Sequence, residues 1–147
     1  MMAGVAPVAA GALVLDTNIV LDLLVFRDAS TAALAEALSS GARVWHATPA
    51  MRAELQRVLA YPKLQSWMDH TGADASQVMA QFDRLSQVHP EVAIGPPRCR
   101  DPDDQKFIDL ALALPATLLS KDQAVLRLHA ALVARGVTVA RGLSPAA

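Results

Sequence analysis

Short apolar runs at 13–15, 43–47, 92–94, 117–120 and 137–140 alternate with longer stretches of helical period, and no two are joined by a two-residue hairpin turn. Strands that need a helix between them can only pair side by side in the same direction. The pattern therefore predicts a three-layer α/β/α domain around a central parallel sheet, with helices over 18–26, 30–40, 49–60, 64–70, 75–88, 102–114 and 123–135. A chain of 147 residues is long enough for one core of this kind without staples. Hydrophobic residues make up 53% but aromatics only 4%, so that core is built from Ala, Leu and Val. The expected organisation is a disordered apolar extension over 1–11, a folded domain over 12–141 and a short tail over 142–147.

Composition removes several classes of function. Cys99 stands alone and has no internal disulfide partner, and the four histidines, His46, His70, His89 and His129, show no zinc-ligand spacing. Both point to a reducing, cytoplasmic setting. The N-terminal stretch is apolar but lacks the basic segment of a signal peptide, and no run approaches the roughly 20 apolar residues of a membrane span. A net charge of -1 gives no global footprint for a polyanion, so contact with one requires a local basic patch or a bound cation.

Four acids stand where the pattern ends strands or starts helices. Asp16 closes the run Ala12-Leu13-Val14-Leu15 and opens Thr17-Asn18, which suits a helix N-cap and equally a carboxylate at the ligand-binding edge of the sheet. An aspartyl-phosphate enzyme would carry a second acid at position 18, where this chain has Asn18. Glu54 shares a helical face with Ala50, Met51 and Val58, opposite Arg52 and Gln56; a carboxylate on a core-facing stripe needs a partner, whereas one paired with Arg57 would be an ordinary surface residue. In Asp101-Pro102-Asp103-Asp104, Asp101 reads as a cap or outer acid. Asp104 lies in phase with Phe107, Ile108 and Ala111, Asp103 with Lys106 toward solvent, and Asp109 faces away. Asp122 follows the run 116–120 and reads again as either a cap or a strand-end carboxylate. A parallel sheet brings strand C-terminal ends to one edge, and acids converging there repel unless a cation holds them. All-oxygen ligands favour Mg²⁺ or Mn²⁺.

With Val14-Leu15-Asp16-Thr17-Asn18-Ile19, Pro49-Ala50-Met51-Arg52-Ala53-Glu54-Leu55, Arg100-Asp101-Pro102-Asp103-Asp104 and Leu118-Leu119-Ser120-Lys121-Asp122 in this order, the chain resembles a PIN-domain protein, closest to the bacterial toxins of toxin–antitoxin pairs. The resemblance spans roughly residues 13–128. It implies a metal-dependent ribonuclease whose acids match Asp16, Glu54, Asp104 and Asp122, with Asn18 and Ser120 at the small polar positions that support the first and last of them. Ser120 stands where Thr is common, Lys121 where a smaller or different residue is usual, and Asp109 adds an acid to a helix often apolar there.

The expected chemistry is hydrolysis of RNA by water activated on Mg²⁺ or Mn²⁺ held mainly by Asp16, Asp104 and Asp122, with Glu54 on metal-bound water or a second ion. Arg27, Arg52, Arg98, Arg100 and Lys121 are candidates for drawing RNA to the acids, each also readable as solvated surface. A small antitoxin protein is the partner the resemblance implies. The apolar stretch at 64–68 and the Ala- and Leu-rich face suit a homodimer or the core. Two other classes remain: a non-catalytic RNA-binding module of the same fold, and a phosphatase with Asp16 as nucleophile.

Overall fold

The computed structural model describes residues 11–144. The expected extension at 1–11 lies, apart from Gly11, outside the described residues, as do 145–147 of the expected tail. Five strands, β1 (Ala12–Leu15), β2 (Val44–Ala47), β3 (Ser86–Val88), β4 (Thr117–Leu119) and β5 (Thr138–Ala140), form one sheet in the order β3-β2-β1-β4-β5. Every pairing is parallel. Among the described residues, eight α-helices complete the three-layer α/β/α architecture: α1 (Thr17–Leu24), α2 (Ala32–Ser40), α3 (Pro49–Leu59), α4 (Pro62–Thr71), α5 (Ala75–Leu85), α6 (Gln105–Ala113), α7 (Gln123–Leu126) and α8 (His129–Val133).

β1 is the centre of the sheet, and all four of its residues are buried. That double-sided burial is why the run is uniformly apolar rather than alternating. Chain progression runs outward on one side of β1 through β2 and β3, then jumps to β4 on the other side. In such sheets a reversal of this kind sets a crevice at the C-terminal ends of the strands beside it, here β1 and β4, the usual ligand position. α6 packs on β1 and β4. Phe107, Ile108, Leu110 and Ala111 insert there, each buried, beside Leu13, Leu118 and Leu119. On β2, Trp45 meets Phe82 of α5 edge-on with ring centroids 4.9 Å apart.

Three expectations need correction. Residues 92–94 form no strand; Pro90 and Pro96-Pro97 bracket them, and Glu91 instead turns its carboxylate to the N-terminus of α3, accepting from Ala50 N–H at 2.7 Å. The third strand is Ser86–Val88, and the helix expected to run to 88 stops at Leu85. This strand lies at the sheet edge, with Val88 80% exposed, so it carries none of the apolar signal of a buried strand. The helix expected over 123–135 breaks into α7 and α8 where Leu128 N–H bonds Val125 O, a tight i to i−3 turn.

Candidate active site

Leu15 and Leu119 are register partners, so the residues that follow them, Asp16 and Ser120, emerge side by side at the crevice. Asp16 N–H extends the ladder to Leu119 O at 3.1 Å. Ser120 Oγ donates to Asp16 Oδ2 at 2.5 Å, and Oδ1 accepts from Ile19 N–H at 2.9 Å as the N-cap of α1. Both oxygens of this buried carboxylate are therefore engaged by the chain itself. Asn18 is exposed, and among the described residues its side chain bonds nothing; the support of Asp16 comes from Ser120.

Ser120 Oγ also accepts from Asp122 N–H at 3.1 Å. Asp122 caps α7 through Oδ1, which accepts from Ala124 N–H at 2.8 Å. Asp101 caps a 3-10 turn over Pro102–Asp104 in the same way, accepting from Asp103 N–H at 3.0 Å. One carboxylate oxygen from each of Asp101, Asp104 and Asp122 then falls within 4.8 Å of the other two. Asp104 Oδ2 is buried and has no hydrogen-bond partner. A buried carboxylate oxygen without a donor is costly. A hard cation among three aspartates would satisfy it, so this donor set fits Mg²⁺ or Mn²⁺.

Glu54 stands apart from those three. The buried stripe of α3 is Met51, Leu55 and Leu59, with Ala50 exposed, so Glu54 lies at the border of the core face rather than on it. Its Oε2 accepts from Thr17 Oγ1 at 2.5 Å, and its Oε1 pairs with Lys106 Nζ. Lys106 was expected to point to solvent with Asp103; it folds back over the turn instead, donating to Asp103 O and meeting Glu54.

Asp109 also departs from expectation, being buried rather than turned outward. It belongs to a network around Gln105, which the sequence did not mark. Gln105 Oε1 accepts from Cys99 N–H at 2.6 Å, while Nε2 is 3.2 Å from Gly95 O, 3.1 Å from Pro97 O and 3.0 Å from Asp109 Oδ1. Gly95 N–H adds a bond to Asp109 Oδ1 at 3.3 Å. The network staples the 95–99 loop to α6, and that loop leads directly into Asp101.

The sequence model of the family described as PIN domain matches residues 12–124. The chain belongs to the PIN domain family. A search of curated proteins finds no match. PIN domains are generally metal-dependent nucleases that bind divalent cations, and this one has the nuclease-type fold with an acidic cluster at its sheet edge. No helix among the described residues is long and apolar enough to cross a membrane.

The charges of this PIN domain follow from its packing. Burial pushes Asp104 up to about 7, helped by the Asp122 side chain against it and by the charges of Asp101 and Asp16. Burial also raises Asp16, against the pull of its bonds from Ser120 and Ile19, while Asp122 and Asp22 add to the rise. Of the expected cations, Arg52 grips Asp83 through Nε at 2.8 Å and a second nitrogen at 2.9 Å, and Lys121 reaches Asp22 at 2.7 Å. Arg27, Arg98 and Arg100 are exposed and join no ion pair among the described residues.

Proposed function

We propose that this PIN domain is a Mg²⁺- or Mn²⁺-dependent endoribonuclease, the toxin of a toxin–antitoxin pair, in which Asp16, Glu54, Asp104 and Asp122 form the catalytic acids. The observation that carries this reading is the convergence of Asp101, Asp104 and Asp122 with an unpartnered buried oxygen on Asp104. These three aspartates would hold the cation. When bound, it supplies positive charge against the phosphodiester and acidifies water for attack. Asp16, fixed by Ser120 and Ile19 N–H, adds negative charge behind the cluster and holds the ends of β1 and β4 in register.

The acids gather at the C-terminal ends of β1 and β4, where sheets of this kind take their ligands. Arg98 and Arg100, exposed on the segment leading into Asp101, are the nearest free cations in sequence for RNA phosphates. The phosphatase alternative is disfavoured because its general acid would stand two residues after Asp16, where this chain has Asn18. A small antitoxin that covers the acidic edge, and a homodimer through the exposed edge-on pair Phe26 and Trp67, belong to the same proposal.

The test is cleavage of a mixed RNA panel by the wild type and Asp16→Asn with Mn²⁺, Mg²⁺ or EDTA. Metal-dependent cutting by the wild type alone is the expected result. RNA binding without cutting, and without metal uptake by calorimetry, would leave a non-catalytic RNA-binding module.

A further inference from the structure

Lys106 is the one cationic side chain that the described residues place in direct contact with any of the four catalytic acids proposed above. Its ammonium pairs with Glu54 Oε1, and Thr17 Oγ1 occupies Oε2, so both oxygens of Glu54 are committed within the protein. The pair is largely withdrawn from water, with side-chain exposures of 23% for Lys106 and 18% for Glu54. Displacing Lys106 to admit a metal on Glu54 would leave the ammonium without its carboxylate in a partly desolvated place. A second divalent ion on Glu54 would also sit against the ammonium, a like-charge contact that partial burial screens less than open solvent does. An ammonium carries three donors. One meets Glu54 and one meets Asp103 O, and Nζ also lies 4.8 Å from the Phe107 ring centroid, which leaves one N–H without an oxygen partner.

We propose that Lys106 is the second cation of this active site: its ammonium holds the Glu54 side, the site takes a single divalent ion on the Asp101, Asp104 and Asp122 side, and the free N–H of Lys106 meets a phosphate oxygen of the RNA. The inference rests on the metal-dependent ribonuclease reading. Unlike a second metal, this cation is covalently in place and does not dissociate. Among the four acids proposed above, Glu54 then acts through Lys106, as the residue that positions it, and not on a metal.

Calorimetric titration of the full chain with Mn²⁺ alone tests the first part. One ion per wild-type chain, rising to two in Lys106→Met and returning to one in Lys106→Met with Glu54→Gln, is the expected result. Two ions in the wild type, or one in Lys106→Met, overturns the proposal; the wild-type count decides the matter if Lys106→Met does not fold. Cleavage of single-stranded RNA tests the phosphate contact. The plot of log(kcat/KM) against log salt should flatten by about 0.7 in Lys106→Met, the slope carried by one single-strand phosphate. Lys106→Arg should restore it, and an unchanged slope overturns the contact. A wild type that neither binds Mn²⁺ nor cuts RNA overturns the nuclease reading itself, an outcome distinct from a two-ion wild type that cuts.

Discussion

Ser120 Oγ donates to Asp16 Oδ2 at 2.5 Å across 104 residues of sequence, tying the ends of two neighbouring strands where the sheet changes direction. A hydrogen bond to a buried charge contributes more than a neutral one, about 1.5–3 kcal/mol. Ser120→Ala should therefore lower stability by about that amount in urea titrations at pH 7. The bond also pulls the Asp16 carboxyl down against burial, so losing it should raise that group further. Ser120→Thr keeps the hydroxyl and should stay near wild type. Equal stability of the Ala and wild-type proteins would show that the bond is not made in solution.

Asp104 is a second place where function and stability pull apart. Its unpartnered oxygen and its three acidic neighbours make it a cost to the metal-free fold. Asp104→Asn should abolish cleavage and Mn²⁺-induced stabilisation. In EDTA at pH 8 it should nevertheless melt higher than wild type, by about 2–4 °C for each kcal/mol of relieved repulsion in a chain of this size. A metal-free mutant that melts lower would mean that the acids do not strain the fold.

The same group sets a pH dependence. Asp104 is pushed up to about 7 from an ordinary value of 3.8, so between those values the folded state holds a proton that the unfolded chain releases. That stability is fully present below 3.8 and is lost as pH rises through about 7. Asp16, also raised, acts in the same direction. Metal-free protein should thus lose stability from pH 5 to pH 8, and Mn²⁺ should stabilise it more at pH 8, where no proton is displaced. Thermal unfolding at both pH values, with Asp104→Asn as reference, checks the sign.

Cations differ by what already holds them. Arg98 and Arg100 are exposed and unpaired among the described residues, whereas Arg52 is clamped in a two-pronged pair with Asp83. Replacing Arg98 and Arg100 together with Ala should weaken RNA uniformly across sequences and flatten its salt dependence. Arg52→Ala should leave KM unchanged. The reverse ranking in KM would move the RNA path to the α3 and α5 side.

The buried strands and the strand-end acids were legible because burial writes itself into apolar runs and parallel topology gathers their ends. Edge strand β3 was not, since Ser86 and Gln87 face an environment that asks for no apolar side chain. Around Asp104 the misreading has a geometric cause. Residues 102–104 wind as a 3-10 turn, with 3.0 residues per turn in place of 3.6, which advances the phase by about 60° over three residues. Helical phase carried across that turn put Lys106 in solvent instead of on Glu54. Asp101 shows no periodicity of its own; its place in the cluster comes from the loop that Gln105 holds. Asp109 was misplaced because α6 is buried on nearly every side, by β1 and β4 on one and by the 95–99 loop on another.

That loop gives the last prediction. Gln105 is 6% exposed and bonds Cys99 N–H, Gly95 O and Pro97 O, groups that α6 would otherwise leave unpaired. Gln105→Ala removes these partners and leaves the buried Asp109 carboxylate with the longer bond from Gly95 N–H alone. A buried polar group without a partner costs about 1–3 kcal/mol, so the mutant should lose at least that much stability. The loop should also open locally before the sheet unfolds, because hydrogen bonds hold it to α6 and Cys99 is only partly buried against the core. Hydrogen exchange should show faster exchange at Cys99 and Gly95, with β1 and β4 unaltered. Mn²⁺ affinity should fall as Asp101 loses its fixed approach to Asp104 and Asp122. Unchanged exchange at Cys99 would mean that some other contact holds the loop in place.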